Sequence, residues 1–91
     1  MKVNLKTNFS FSTGKAGNME LPPLVATIGD LLGYIGTRID FTLVDAGHET
    51  LRPDVEVLIN CKDVSFYPDG LQTVLKDGDM VDVALMPLGG G

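Results

Sequence analysis

The sequence predicts an α+β domain in which a mixed β-sheet packs on one main helix. Two observations lead to this prediction. A single stretch has helical periodicity, and the segments on both sides of it alternate apolar and polar residues with the two-residue period of strands. The chain of 91 residues has the length of one domain with a small core. We therefore expect the sheet to cover the apolar side of that one helix.

The first segment is predicted to be a hairpin. Residues 3–7 alternate apolar and polar side chains, and residues 12–18 are rich in turn-forming types. Residues 19–24 are predicted to return as a second strand. Pro22 and Pro23 are expected to end that strand, because proline has no N–H to donate to a neighbouring strand.

The helix is predicted to begin after Thr27. Threonine is a favourable N-cap, and Asp30 stands three residues later in a capping-box arrangement. Apolar residues with helical spacing are predicted to form the face that packs on the sheet. They are Ile28, Leu31, Leu32, Ile35 and Ile39.

Three glycines share a second face of this helix. Gly29, Gly33 and Gly36 each lower helix stability by about 1 kcal/mol relative to alanine. One interpretation is a marginal helix held in place by tertiary packing. The other is a smooth groove along which the backbone of a partner lies.

Several short strands are predicted after the helix. Residues 41–44 are expected to form a short strand, followed by a polar loop over 46–54. Residues 55–59 alternate as a strand with one buried face, residues 60–63 form a turn, and residues 64–67 are predicted to return as another strand.

The last predicted strand is residues 80–86. Before it, Leu71 and Leu75 flank a predicted short turn or 3₁₀ segment, and Lys-Asp-Gly-Asp at 76–79 is a strong turn signal. Pro87 is expected to end the strand. The inward residues are predicted to be Val81, Val83 and Leu85. Strand, strand, helix and further strands, in this order, give the β-grasp arrangement.

Composition disfavours several classes of protein. The formal charge of −5 repels a phosphate backbone, so nucleic-acid binding is not expected. The negative charge suits a partner with a basic surface; the alternative is that it serves solubility alone. A single cysteine, Cys61, allows no internal disulfide and no cysteine-rich metal site. Neither a membrane span nor a secretory signal is visible, so we expect the cytoplasm, and no bound metal or cofactor.

The sequence shows no recognisable Ser/His/Asp set, paired-carboxylate site or cluster of metal ligands. His48 stands beside Glu49 in a polar loop and is interpreted as solvated, and Cys61 is interpreted as incidental to function. The most informative feature is the end of the chain, Leu88 followed by Gly89, Gly90 and Gly91. A tail without Cβ atoms fits a narrow channel and presents its carboxylate to a buried site; the alternative is a frayed terminus.

An apolar docking face is predicted beside this tail. Strand parity points Leu58, Ala84 and Met86 away from the core, and Phe66 and Leu88 are grouped with them. Exposed apolar residues next to a tail suit a partner surface. For Phe66, cover by a loop is the equal alternative.

Specific motifs resemble the MoaD/ThiS family of small ubiquitin-like sulfur carriers. They are TIGDLL at 27–32, VLIN at 57–60, KDV at 62–64, LKDGDMV at 75–81 and the Gly-Gly end. The likeness covers most of the chain. It departs from the family where Asn-Cys replaces the usual Asn-Gly at 60–61, in the helix glycines, and in one extra glycine in the tail.

The resemblance implies a ubiquitin-like β-grasp domain over 1–87 with a flexible tail at 88–91. An adenylating enzyme of the ubiquitin-activating type would use Mg-ATP to activate the carboxylate of Gly91, and a sulfur donor would convert it to a thiocarboxylate. The sulfur would then pass to a precursor held by a larger synthase subunit, with molybdopterin favoured over thiamine as the product. The chain itself would be a carrier and not an enzyme. Alternatives are a protein modifier joined through Gly91 to lysines, and a non-covalent β-grasp interaction module.

Overall fold

The computed structural model describes residues 1–9, 17–45, 47 and 50–86. Among them, one five-stranded mixed sheet packs on one α-helix in the β-grasp arrangement. The elements in chain order are β1 (Lys2–Thr7), β2 (Asn18–Glu20), α1 (Ile28–Ile39), β3 (Val55–Ile59), β4 (Lys62–Asp63), two 3₁₀ helices (Val64–Phe66 and Gly70–Gln72) and β5 (Met80–Leu85).

The last strand lies at the centre of the sheet. The strand order is β2-β1-β5-β3-β4. β1 and β5 run parallel, and the other neighbouring pairs are antiparallel. Both edge strands, β2 and β4, are only two or three residues long. Short edges offer little backbone for unwanted strand pairing, and the central position holds β5 on both sides.

The helix begins at the predicted signal, and the structure shows how it ends. The Thr27 hydroxyl accepts a hydrogen bond from the Asp30 N–H at 3.1 Å, and the Asp30 carboxylate accepts from the Thr27 N–H at 3.2 Å, which confirms the capping box. The helix ends at Asp40, which is left-handed at φ 55° and donates its N–H to the carbonyl of Gly36. The predicted apolar face is buried, except that Ile39 is only partly buried.

The core lies between α1 and one face of the sheet. The strand residues that point toward the helix are almost fully buried, as their alternation predicted. They are Val3 and Leu5 on β1, Val55, Val57 and Ile59 on β3, and Val81 and Val83 on β5.

Three predicted strands are shorter than expected or absent. β2 ends at Glu20, just before the prolines, rather than near residue 24. Residues 41–44 form only an isolated bridge, Val44 to Leu51, because this segment packs against the helix and does not join the sheet. Residues 64–66 form a 3₁₀ helix, because the Asp63 carboxylate captures the Ser65 N–H at 2.8 Å and turns the chain locally.

Candidate functional site

The site is built around the last two described residues, Leu85 and Met86, which we call the tail root. Leu85 ends β5 opposite Val55 of β3. One residue later, the Met86 N–H donates to the carbonyl oxygen of Asp54 at 2.7 Å. Pro87 comes next in the sequence, followed by the predicted tail residues Leu88, Gly89, Gly90 and Gly91. Pro87 and these tail residues lie outside the described part of the chain.

A side chain holds the tail root from the opposite side. The Asn8 amide nitrogen donates to the Leu85 carbonyl at 2.8 Å, and the Asn8 amide oxygen accepts from the Leu85 N–H at 2.8 Å. The sequence analysis missed both Asn8 and Asp54. The only available signal was that each stands just outside a strand, where asparagine and aspartate are common for other reasons.

The open face of the sheet carries the predicted docking residues of β3 and β5. Leu58 pairs with Asp82 and Ala84 pairs with Glu56, so the two apolar side chains are diagonal neighbours on this face. Both are half-buried, and Met86 is 47% exposed. The register is therefore the predicted one, and a shift that would bury Met86 does not occur. Contact of these residues with a partner remains a prediction.

Acidic residues surround this small apolar group. Asp82 and Asp63 are both paired with Leu58, one on each neighbouring strand, and Glu56 is opposite Ala84. Lys6 lies beside Asp82 on the β1 side. An apolar centre with a mostly acidic border suits a partner whose surface is apolar and basic.

Phe66 lies at the edge of the sheet. It belongs to the 3₁₀ helix that follows β4, and it is 72% exposed. This 3₁₀ helix follows the edge strand β4, which β3 separates from β5, so Phe66 lies apart from the predicted docking residues on β5.

Asp63 caps the same 3₁₀ helix. The hydrogen bonds that its carboxylate accepts from Ser65 lower the pKa of the carboxyl.

The predicted groove on the helix is occupied at Gly36 by the chain's own backbone. The Phe41 carbonyl oxygen stands 2.6 Å from where a Cβ of residue 36 would be. This contact favours the interpretation that tertiary packing holds the glycine-containing helix. Both Gly33 and Gly36 border an open recess of about 450 Å³, which Thr37 and Asp45 also line.

Cys61 lies at the tip of the β3–β4 hairpin. It is exposed, and both turn residues have positive φ, 51° at Asn60 and 69° at Cys61. His48 lies outside the described residues. Within the part of the chain that is described, no three His, Cys, Asp or Glu side chains group as metal ligands, and no helix is long and apolar enough to span a membrane.

No family model and no curated protein sequence matches the chain. Solved structures do. The HVO 2177 protein of Haloferax volcanii is 28% identical with a TM-score of 0.68, and the match covers 99% of this chain and 87% of that one. A chain of the BexX/CysO complex of Amycolatopsis orientalis is 26% identical with a TM-score of 0.61, covering 97% and 99%. Urm1 of Trypanosoma brucei is 26% identical with a TM-score of 0.61, covering 98% and 95%.

These neighbours agree with the resemblance seen in the sequence. CysO and Urm1 are small ubiquitin-like proteins of the sulfur-carrier and modifier kind, and they match this chain over nearly its whole length. The similarity is to a MoaD/ThiS-like small protein and not to a catalytic enzyme.

Proposed function

We propose that this small ubiquitin-like chain is a sulfur carrier that acts through the carboxylate of Gly91. In this proposal an adenylating enzyme of the ubiquitin-activating type uses Mg-ATP to form an acyl-adenylate, which is converted to a thiocarboxylate. The sulfur then goes to a precursor bound by a larger synthase subunit. A molybdopterin precursor is favoured over a thiamine precursor, and the cytoplasm is the proposed compartment.

The observation that carries the proposal is the position of the glycines relative to the fold. Five residues follow Met86, and the last three are glycines. In the sequence they follow β5, the central strand of the β-grasp sheet. Met86, the described residue nearest to them in sequence, is exposed. Glycines suit insertion into a narrow active site because they have no side chain to exclude.

The proposed chemistry places every catalytic group on the partners. The Gly91 carboxylate attacks the α-phosphorus of ATP, and pyrophosphate leaves. The terminal sulfur of a donor persulfide then attacks the acyl carbon and displaces AMP, which gives an acyl disulfide. A thiolate attacks the donor's sulfur in this bond, so that a new disulfide forms and the thiocarboxylate leaves. The carrier contributes the covalent handle, while the activating enzyme stabilises the developing charges.

Docking is proposed through the open face of the sheet next to the tail root. Leu58, Ala84 and Met86 supply the apolar contacts there, and Phe66 and Leu88 are proposed to extend them. The acidic border selects a basic surface on the partner. The solved complex of BexX with CysO supports the idea that a small protein of this type binds a protein partner.

Intact mass spectrometry tests the proposal. After incubation with the activating enzyme, Mg-ATP and a sulfur donor, the chain is expected to gain about 16 Da, because sulfur replaces one carboxyl oxygen. A variant that lacks Gly91 is the control: it should keep its melting temperature, since the residue buries no side chain, and should gain no mass. Free acid alone in the wild-type sample would count against a sulfur carrier.

Further observations separate the alternative functions. Isopeptide adducts of this chain on lysines of other proteins, without a thiocarboxylate, would favour a protein modifier. Retention of function after deletion of the tail would favour a non-covalent module. Neighbouring genes for molybdopterin or thiamine synthesis would identify the pathway.

A further inference from the structure

We propose that Asn8 is a positioning residue that fixes the tail root and thereby sets which residues extend into the activating enzyme. The inference rests on the proposed function. It concerns a residue far from the tail in sequence, 77 positions before Leu85. Its evidence is the pair of hydrogen bonds between the Asn8 side chain and the Leu85 main chain.

The Asn8 side chain takes the place of a strand at the end of the β1–β5 ladder. Main-chain pairing between these strands ends at Thr7 and Val83. Beyond that point the Asn8 amide donates to the Leu85 carbonyl and accepts from the Leu85 N–H, both at 2.8 Å. A primary amide offers a donor and an acceptor side by side, as a peptide group does. Both main-chain polar groups of Leu85 are thus satisfied where β1 has already ended.

The opposite side of the tail root is also held. The Asp54 carbonyl accepts the Met86 N–H at 2.7 Å. The Asp54 carboxylate is itself paired with the Arg52 Nε at 2.6 Å, and the Arg52 guanidinium lies 4.6 Å from the centre of the Phe41 ring. Leu85 and Met86 are therefore fixed from both sides by groups outside β5.

A fixed root limits how far the rest of the tail reaches. The five residues after Met86 span at most about 17 Å when fully extended. Releasing Leu85 would lengthen the segment whose backbone the enzyme must order when it binds the chain. Ordering each further backbone residue carries an entropy cost. Met86 keeps its own hydrogen bond to Asp54 when Asn8 is replaced, so we expect the docking face to be retained. The loss should therefore appear in kcat and not in KM.

Asn60 provides a matched control at the other end of β5. Its side-chain oxygen accepts the Met80 N–H at 2.9 Å, so it also holds a β5 main-chain group through an asparagine side chain. Asn60→Gly removes this bond and tolerates the positive φ at that position. The control therefore weakens β5 away from the tail.

The first measurement is amide hydrogen exchange by NMR on the wild-type chain and the two variants. Asn8→Ala should speed exchange of the Leu85 amide by about tenfold or more and leave Met80 protected, and Asn60→Gly should do the reverse. Unchanged Leu85 exchange in Asn8→Ala would overturn the proposal. This measurement needs no partner, so it decides whether Asn8 holds the tail root even if the wild-type chain is never adenylated and the proposed function fails.

The second measurement is ATP–pyrophosphate exchange with the adenylating enzyme that activates the wild-type chain. Asn8→Ala should lower kcat by about five- to tenfold, with KM within about twofold, because docking is intact and the enzyme must additionally order the released Leu85. Asn60→Gly should keep the wild-type kcat. If Leu85 is released in Asn8→Ala but the two variants have equal kcat values, the hydrogen bonds between Asn8 and Leu85 are merely structural and the proposal is wrong.

Discussion

The carbonyl oxygen of Phe41 lies 2.6 Å from the position that a Cβ atom on Gly36 would occupy. Gly36 also accepts the Phe41 N–H at 3.0 Å through its own carbonyl. The chain therefore folds back across the end of α1 at a distance that only glycine permits. This close approach explains why glycine, a residue that weakens a helix, stands in the last turn of α1.

Gly36→Ala is expected to destabilise the fold. Overpacking against a backbone atom costs about 1–3 kcal/mol, and the better helix propensity of alanine returns about 1 kcal/mol. The net effect of these two terms is a fall of up to about 2 kcal/mol in the free energy of unfolding, measured in urea. Thr37→Ala, at an exposed position of the same helix, is the control and should change stability by about 0.5 kcal/mol or less. A gain in stability for Gly36→Ala would mean that position 36 is open.

Cys61→Gly is expected to stabilise the β3–β4 hairpin. Positive φ at both turn residues is the type I′ geometry, in which glycine is preferred at the second position. Relief of the left-handed strain, about 1–2 kcal/mol, outweighs the extra chain entropy of glycine in the unfolded state, about 0.4–1 kcal/mol. Thermal melting should show a net gain of up to about 1.6 kcal/mol. Cys61→Ala keeps the Cβ and should show no gain; equal stability of the two variants would contradict the strain argument.

The fold was predictable wherever a residue pattern has one physical outcome. Thr27 and Asp30 predicted the helix start, and the alternation at 55–59 and 80–85 predicted which side chains face the core. One failure falls where a local side-chain bond competes with strand pairing. Periodicity does not show that Asp63 captures the Ser65 N–H, so the expected strand at 64–67 became a 3₁₀ helix.

The site was only partly predictable for a related reason. Parity placed Leu58, Ala84 and Met86 on the outward side of their strands, because parity depends only on sequence spacing. The hydrogen bonds from Asn8 to Leu85 join residues at opposite ends of the chain. Such pairing depends on the parallel register of β1 and β5, which no local pattern specifies.

The charge of Asp63 is expected to make the 3₁₀ helix sensitive to acid. Hydrogen bonds from Ser65 to the carboxylate lower the pKa of Asp63 from its ordinary value of 3.8. Its stabilising effect is therefore complete above pH 3.8 and is lost as the pH falls through the lower folded pKa. Asp63→Ala should destabilise the domain at neutral pH by about 1 kcal/mol or less, as for a lost cap. That difference from wild type should shrink in urea unfolding measured below pH 3.8. Asp63→Asn keeps a hydrogen-bond acceptor without the charge and is the control. If the difference in unfolding free energy between wild type and Asp63→Ala persists unchanged in acid, the ionised carboxylate of Asp63 is not the stabilising group.

Met86→Asp is expected to weaken docking to the activating enzyme more than it weakens folding. Met86 is 47% exposed, and its structural bond to Asp54 uses the backbone N–H, which aspartate retains. Stability should therefore change by about 0.5 kcal/mol or less. An apolar anchor at an interface is worth about 2 kcal/mol, so affinity should fall roughly thirtyfold.

A second exposed apolar residue supplies the matched control for this substitution. Leu24 is 90% exposed and lies in the segment before α1, outside the sheet. Leu24→Asp makes the same change in charge and should leave the affinity within about twofold of wild type, since isolated exposed apolar residues contribute little to an interface. A binding titration and a thermal melt on each purified sample give the two quantities. Equal affinity of a folded Met86→Asp variant and the wild-type chain would remove Met86 from the docking face, and equal losses in the two variants would assign the effect to net charge.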